Sequence, residues 1–174
     1  MRPSEIVTSR GHEAAPSLQP GAASPTTLVL DTNAVLDWLV FGDASMRAVA
    51  DALARGLLRW RVTPRMLDEL RAVLSRPLPQ RWERARELAL TIDLAQLAMV
   101  CPEPVIGRRL ICRDPTDQMF IDLACEHRPG LLLTRDRALL ALRRRARAVG
   151  VQIQTAVIWL ASQRSQAAER SGSG

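Results

Sequence analysis

Apolar and polar residues first fall into a readable order at Thr27-Leu28-Val29-Leu30, a short run that stops abruptly at Asp31-Thr32-Asn33. A continuous apolar run of this length predicts a strand buried on both faces. Helical spacing follows at once in Ala34, Val35, Leu36, Trp38 and Leu39, and Phe41-Gly42-Asp43 reads as a turn. A second helix is predicted from about Ala44 to Arg55, where Gly56 supplies a stop. Leu57 to Val62 alternates as a strand. Thr63-Pro64 then opens a third helix, with threonine as N-cap and proline at the first helical position. That helix carries Met66, Leu67, Leu70, Val73 and Leu74 and ends before Pro77.

Arg81 to about Met99 has the spacing of one or two further helices, closed by Cys101-Pro102-Glu103-Pro104. Val105 to Arg113 reads as a loop with room for a short strand. Asp114-Pro115-Thr116-Asp117 begins another helix, to about His127. Pro129-Gly130 turns the chain into the apolar strand Leu131-Leu132-Leu133-Thr134, and Arg135-Asp136 leads into a single helix as far as Ala148. After Gly150, Val151 to Gln154 is a final strand, and Ile158-Trp159-Leu160 lies on a closing helix.

Strands that alternate with helices predict an α/β sandwich around a mainly parallel sheet. Residues 1–26, rich in Pro, Ala, Ser and Gly, are expected to form a disordered tail, residues 27–162 one domain, and residues 163–174 a flexible end. At 174 residues, with 47% hydrophobic and 24% charged, the chain has the composition of an ordinary globular domain. No apolar run approaches the roughly 20 residues that span a bilayer, and no leader is expected. Three cysteines, an odd number without CxxC spacing, point to a reduced, cytoplasmic setting with neither disulfides nor zinc.

Charge adds one further constraint. The formal net charge of +6 is carried on arginine alone, with no lysine anywhere. Guanidinium groups pair bidentately with phosphates, so a polyanionic partner fits; arginine-rich coding would give the same count. The absence of lysine removes every mechanism that needs a catalytic ammonium.

The acidic residues carry the chemistry. Asp31 and Asp136 each follow a strand and precede a helix, where aspartate is also a good cap. Asp114, followed by Pro115, reads as a pure cap. Asp117 falls near the centre of the apolar stripe of Phe120, Ile121, Leu123, Ala124 and Cys125, whereas Asp122 points away. An inward carboxylate at a helix start needs a counter-charge or a metal. In the third helix Asp68 lies about 160° from the stripe centre and Glu69 about 100°, so Glu69 sits on its edge and Asp68, like Asp37, faces solvent. In a parallel sheet, strand carboxyl ends and helix N-termini share one edge, which brings Asp31, Asp117 and Asp136 together with Glu69 placed to join them. Like charges so close repel, and a divalent cation resolves the conflict; all-oxygen ligands favour Mg2+ or Mn2+ over zinc.

Val29-Leu30-Asp31-Thr32-Asn33, Leu67-Asp68-Glu69-Leu70, Asp114-Pro115-Thr116-Asp117-Gln118 and Leu133-Thr134-Arg135-Asp136 together resemble the PIN (PilT N-terminal) domain. The similarity runs in order from about Leu28 to Leu160 and is greatest to the bacterial branch of toxins from toxin–antitoxin pairs. It implies a PIN-like three-layer α/β/α sandwich and a Mg2+- or Mn2+-dependent ribonuclease. It also implies a cognate antitoxin and, in many look-alikes, a homodimer, for which Trp38 or Trp82 offers a contact. Carried over by position, Asp31, Glu69, Asp117 and Asp136 match the metal-holding quartet. Asn33 matches the residue that supports the first aspartate, and Thr134 the hydroxyl residue before the last acid. Gln118 stands where the family often has Asn, and Arg135 where it often has Gly. Arg135, Arg143 and Arg144, with Arg145, Arg147, Arg108 and Arg109, are candidates for guiding an RNA backbone.

Two rivals have different signatures. A non-catalytic PIN-like module binding RNA or protein would tolerate a degenerate quartet, and here all four acids are present. A phosphohydrolase of the haloacid dehalogenase type has a second acid two residues after the first and a lysine; this chain has Asn33 and no lysine. A phosphoacceptor receiver domain lacks support for the same reason.

Overall fold

The computed structural model describes residues 25–105, 110–128 and 130–171. Residues 1–24 of the tail expected over 1–26, Arg108 and Arg109, and the end of the SGSG segment lie outside them, and Thr26 already belongs to the first strand. The chain opens with β1 (Thr26–Leu30), α1 (Thr32–Leu39), α2 (Ala44–Ala54), β2 (Leu58–Val62) and α3 (Pro64–Leu74). It continues through α4 (Gln80–Thr91), α5 (Leu94–Leu97), β3 (Met99–Val100), α6 (Gln118–Glu126) and β4 (Gly130–Leu133). It ends with α7 (Arg137–Ala141), α8 (Arg143–Arg147), β5 (Val151–Gln154) and α9 (Ala156–Ser171).

The five strands form one sheet in the order β3-β2-β1-β4-β5, and every pairing is parallel. Helices flank the sheet, as in a PIN-like α/β/α sandwich. Leu28, Val29 and Leu30 of β1 and Leu131, Leu132 and Leu133 of β4 are all buried, which is why both strands read as unbroken apolar runs. Strand order reverses at β1: the chain moves from it to β2 and β3 on one side, and later to β4 and β5 on the other. In open α/β sheets the crevice beyond the strand ends opens at such a reversal. Asp31 is the residue that follows β1 there.

Local signals place the neighbouring helices. Thr63 Oγ1 accepts from the Met66 amide at 3.4 Å and Pro64 starts α3, as the Thr-Pro pair predicts. Gly56 turns the chain after α2 at φ 68°, a conformation other residues adopt only with strain. Gly130 answers a different need: a Cβ there would sit 2.7 Å from the Ala124 carbonyl oxygen, because the last turn of α6 lies against the start of β4.

Several elements differ from expectation. The third strand is Met99–Val100, ahead of Cys101 rather than after Val105; two exposed residues carry no periodicity, and pairing with Arg61 and Val62 of β2 makes them a strand. The helix expected from Asp114 begins four residues later, at Gln118. The single helix expected after Asp136 is two, α7 and α8, because the Leu142 amide bonds to the Leu139 carbonyl three residues back, at 3.0 Å. That tighter turn keeps Leu139, Leu142 and Ala146 all buried. The closing helix α9 continues through residues 163–171, a stretch the composition assigns to a flexible end. Trp38 stacks edge-on against Trp60, and Trp82 against Phe41; both pack against the core. All three cysteines are free thiols. Among the described residues no helix is long and apolar enough to cross a membrane.

Candidate active site

Asp31 ends β1 and caps α1. Its Oδ1 accepts from the Ala34 amide at 2.6 Å, and its Oδ2 accepts from the Thr134 hydroxyl at 2.5 Å. Only 1% of the residue is exposed. Burial pushes its carboxyl from 3.8 up to about 6; the bonds from Thr134 and Ala34 pull the other way, and the charges of Asp37 and Asp136 add to the rise. Among the described residues no basic side chain enters as a cause of that rise.

Thr134 holds two acids at once. Besides donating to Asp31, its Oγ1 accepts from the Asp136 amide at 2.9 Å. Asp136 in turn caps α7, with Oδ1 accepting from the Ala138 and Leu139 amides at 2.6 and 3.0 Å. Glu69, half-buried on α3, accepts from the Thr32 hydroxyl at 2.8 Å.

Asp117 stands at the N-cap position of α6, yet its side chain makes no capping bond. Burial raises its carboxyl to about 6, and the charges of Asp136, Asp114, Asp31 and Glu69 push it further in that direction. Asp117 therefore feels all three of the other quartet acids. Asp114 is tied up separately: its Oδ1 accepts from the amide and hydroxyl of Thr116, closing a turn before α6 rather than capping a helix.

Neighbouring polar residues behave differently from their sequence-based expectations. Asn33 is exposed and, among the described residues, makes no hydrogen bond to Asp31; Thr134 takes the bracing position expected of Asn33. Thr32, one residue earlier, is the side chain that reaches an acid, and no sequence signal marked it. Asp37 does not face solvent: it is buried on α1 and paired with Arg135 at 2.7 Å. Burial raises the Asp37 carboxyl and the Arg135 charge opposes that rise. Asp122 does not point away either. It is buried and accepts from Gln118 Nε2 at 2.8 Å. The same Gln118 amide donates to the Leu110 carbonyl at 2.8 Å, and its Oε1 accepts from the Cys112 amide at 2.8 Å. Gln118 thus pins the incoming chain to α6 beside Asp117, a span that a shorter asparagine reaches less well.

The donor chemistry fits a hard divalent cation: four carboxylates and two threonine hydroxyls, all oxygen, with no thiolate among them. Among the described residues no three acidic, histidine or cysteine side chains converge closely enough to form a ready-made cation cage. Like charges without a cation repel, and the hydroxyls of Thr134 and Thr32 each engage one carboxylate instead.

No curated protein matches the chain. Among solved structures it is similar to the crystal structure of VapBC2 from Rickettsia felis bound to a DNA fragment from their promoter. That similarity has 12% identity and a TM-score of 0.49, and covers 75% of this chain and 98% of the other. The PIN domain family matches residues 27–138, more than half of the sequence and all four acids of the edge. The chain belongs to the PIN domain family, whose members are generally nucleases.

Proposed function

We propose that this chain is a divalent-cation-dependent endoribonuclease that hydrolyses RNA phosphodiester bonds. The observation that supports this most is the state of Asp31 and Asp117: two carboxyls raised to about 6 on one sheet edge, with no basic side chain among the causes of either shift. Asp31, Glu69, Asp117 and Asp136 would hold Mg2+ or Mn2+, which when bound supplies the positive charge that acidifies a water and neutralises phosphoryl oxygens. Asp31 is the fixed member, gripped by Thr134 and the Ala34 amide. Asp117 is the free member, a carboxylate without a capping bond at the start of a helix. Thr134 keeps Asp31 and the Asp136 backbone in one register, and Thr32 holds Glu69 until a cation competes for it. The toxin role and a cognate antitoxin partner extend this proposal from the motif set to the biology.

Cleavage of a single-stranded RNA with Mn2+ tests the proposal. The wild-type chain is expected to cut it, and Asp31→Asn and Asp117→Asn each to lose at least about a hundredfold in rate while keeping the wild-type far-ultraviolet spectrum. Undiminished cleavage by either variant contradicts it.

A further inference from the structure

The sequence presents Arg143, Arg144, Arg145 and Arg147 as one basic run, but the fold divides it. Arg143, Arg144 and Arg147 line a cavity of about 250 Å3 whose other wall is Gln152, Ile153 and Gln154 of the edge strand β5. Arg145 does not line it. A second concavity, about 330 Å3, shares Arg143 and Arg144 and continues to Arg137, the residue after Asp136. The two adjoin through those shared arginines, and Arg137 follows Asp136 directly in the chain. The floor of the first is tied to the acidic edge, because the Gln154 carbonyl accepts from the Thr134 amide at 3.0 Å.

None of these lining arginines is neutralised: among the described residues the ion pairs belong to Arg71, Arg86 and Arg135. Arg135, committed to Asp37, is thereby removed from this basic set. An edge carrying four acids repels a polyanion, so a polyanionic substrate needs compensating positive charge along its approach.

We infer that single-stranded RNA reaches the acidic edge along this arginine-lined groove between α8 and β5, held by its phosphates. The inference rests on the nuclease proposal for the edge itself. Chemistry favours RNA over an acidic peptide. The only strongly apolar lining residue of the α8–β5 cavity is Ile153, and it is already buried, so a peptide side chain finds little to cover there. Guanidinium forks match phosphate oxygens, and Arg143 and Arg147 are one helical turn apart, about 6 Å along the axis, close to the step between phosphates in an extended strand. Gln152 and Gln154 bring amide groups that can meet base edges.

The test is binding of a labelled single-stranded RNA to the full chain, followed by fluorescence anisotropy across a salt series in EDTA, with cleavage measured separately in Mn2+. Arg143→Gln/Arg147→Gln is expected to bind about tenfold or more weakly, with the slope of log K on log salt reduced by about 1.4, two phosphate contacts' worth. Its cleavage should show a raised KM at unchanged kcat. Arg145→Gln/Arg164→Gln, on α8 and α9, removes the same charge from two arginines that line neither concavity, and should retain the wild-type slope. Equal slopes for both double variants overturn the groove, because the arginines then act only as diffuse charge. Polyglutamate that displaces the RNA at matched charge overturns it in favour of a peptide site. RNA bound with the expected slopes but left uncut upholds the groove and removes the nuclease proposal, so the two fail separately.

Discussion

Two strand–turn–helix units bring acids to the same edge by the same local device, and they leave them at different depths. Asp31 follows β1 directly and caps α1; Asp136 follows β4 after Thr134-Arg135 and caps α7. Both accept amide bonds at 2.6 Å. Asp31, however, lies at the strand-order reversal in the middle of the sheet, almost wholly buried, and its carboxyl rises to about 6. Two extra residues carry Asp136 further out, where it is half-exposed and satisfied by two helix amides. Capping explains either residue alone. Depth separates them: Asp31 is almost wholly buried and its carboxyl is raised by that burial, whereas Asp136 is half-exposed.

The largest consequence concerns pH. Between about pH 4 and pH 6 the folded chain holds a proton on Asp31 that the unfolded chain has released, so stability falls as pH rises through that window. For Asp31 alone the effect is on the order of 3 kcal/mol. Asp43 and Asp114, held below the ordinary carboxylate range, act in the opposite direction but only as pH falls further. The cation-free protein should therefore melt higher at about pH 5 than at about pH 7. Asp31→Asn should remove a large part of that difference, with Asp117 supplying the rest, and Asp136→Asn, which takes away a like charge that raises both, should reduce it less. An unchanged pH profile in Asp31→Asn breaks the contrast.

A smaller effect addresses the link between the two units. Thr134→Val removes the hydroxyl that donates to Asp31 and accepts from the Asp136 amide, at a cost of about 1–3 kcal/mol at neutral pH. Denaturant unfolding at about pH 7 and about pH 5 measures it, and the loss should shrink at the lower pH, where a protonated Asp31 needs the donor less. A cost independent of pH assigns Thr134 to packing alone.

Much of this was visible in the sequence where the cause is local. The apolar run of β1, the Thr63-Pro64 start of α3 and the strand–acid–helix context of Asp136 all follow from neighbours along the chain. Residues whose state depends on a distant partner were misplaced. Periodicity set Asp37 and Asp122 outward, but Arg135, 98 residues from Asp37, and Gln118, which also binds the 110–112 segment, each make an inward carboxylate tolerable. The choice between Thr32 and Asn33 was equally beyond reach, because it turns on where the α3 Glu69 comes to lie, 37 residues from Thr32. Charge patterning gave an arginine run without direction; only the fold divides Arg143, Arg144 and Arg147 from Arg145.

The proposal stands or falls on the edge carboxylates holding a hard divalent cation. Calorimetric titration of the protein with MnCl2 tests it most directly, comparing wild type with Asp31→Asn and Asp117→Asn at about pH 7. Saturable binding to the wild type that is lost in both variants, with melting curves confirming that each is folded, is the predicted result. Binding of the same strength in all three proteins, or none in the wild type, contradicts it.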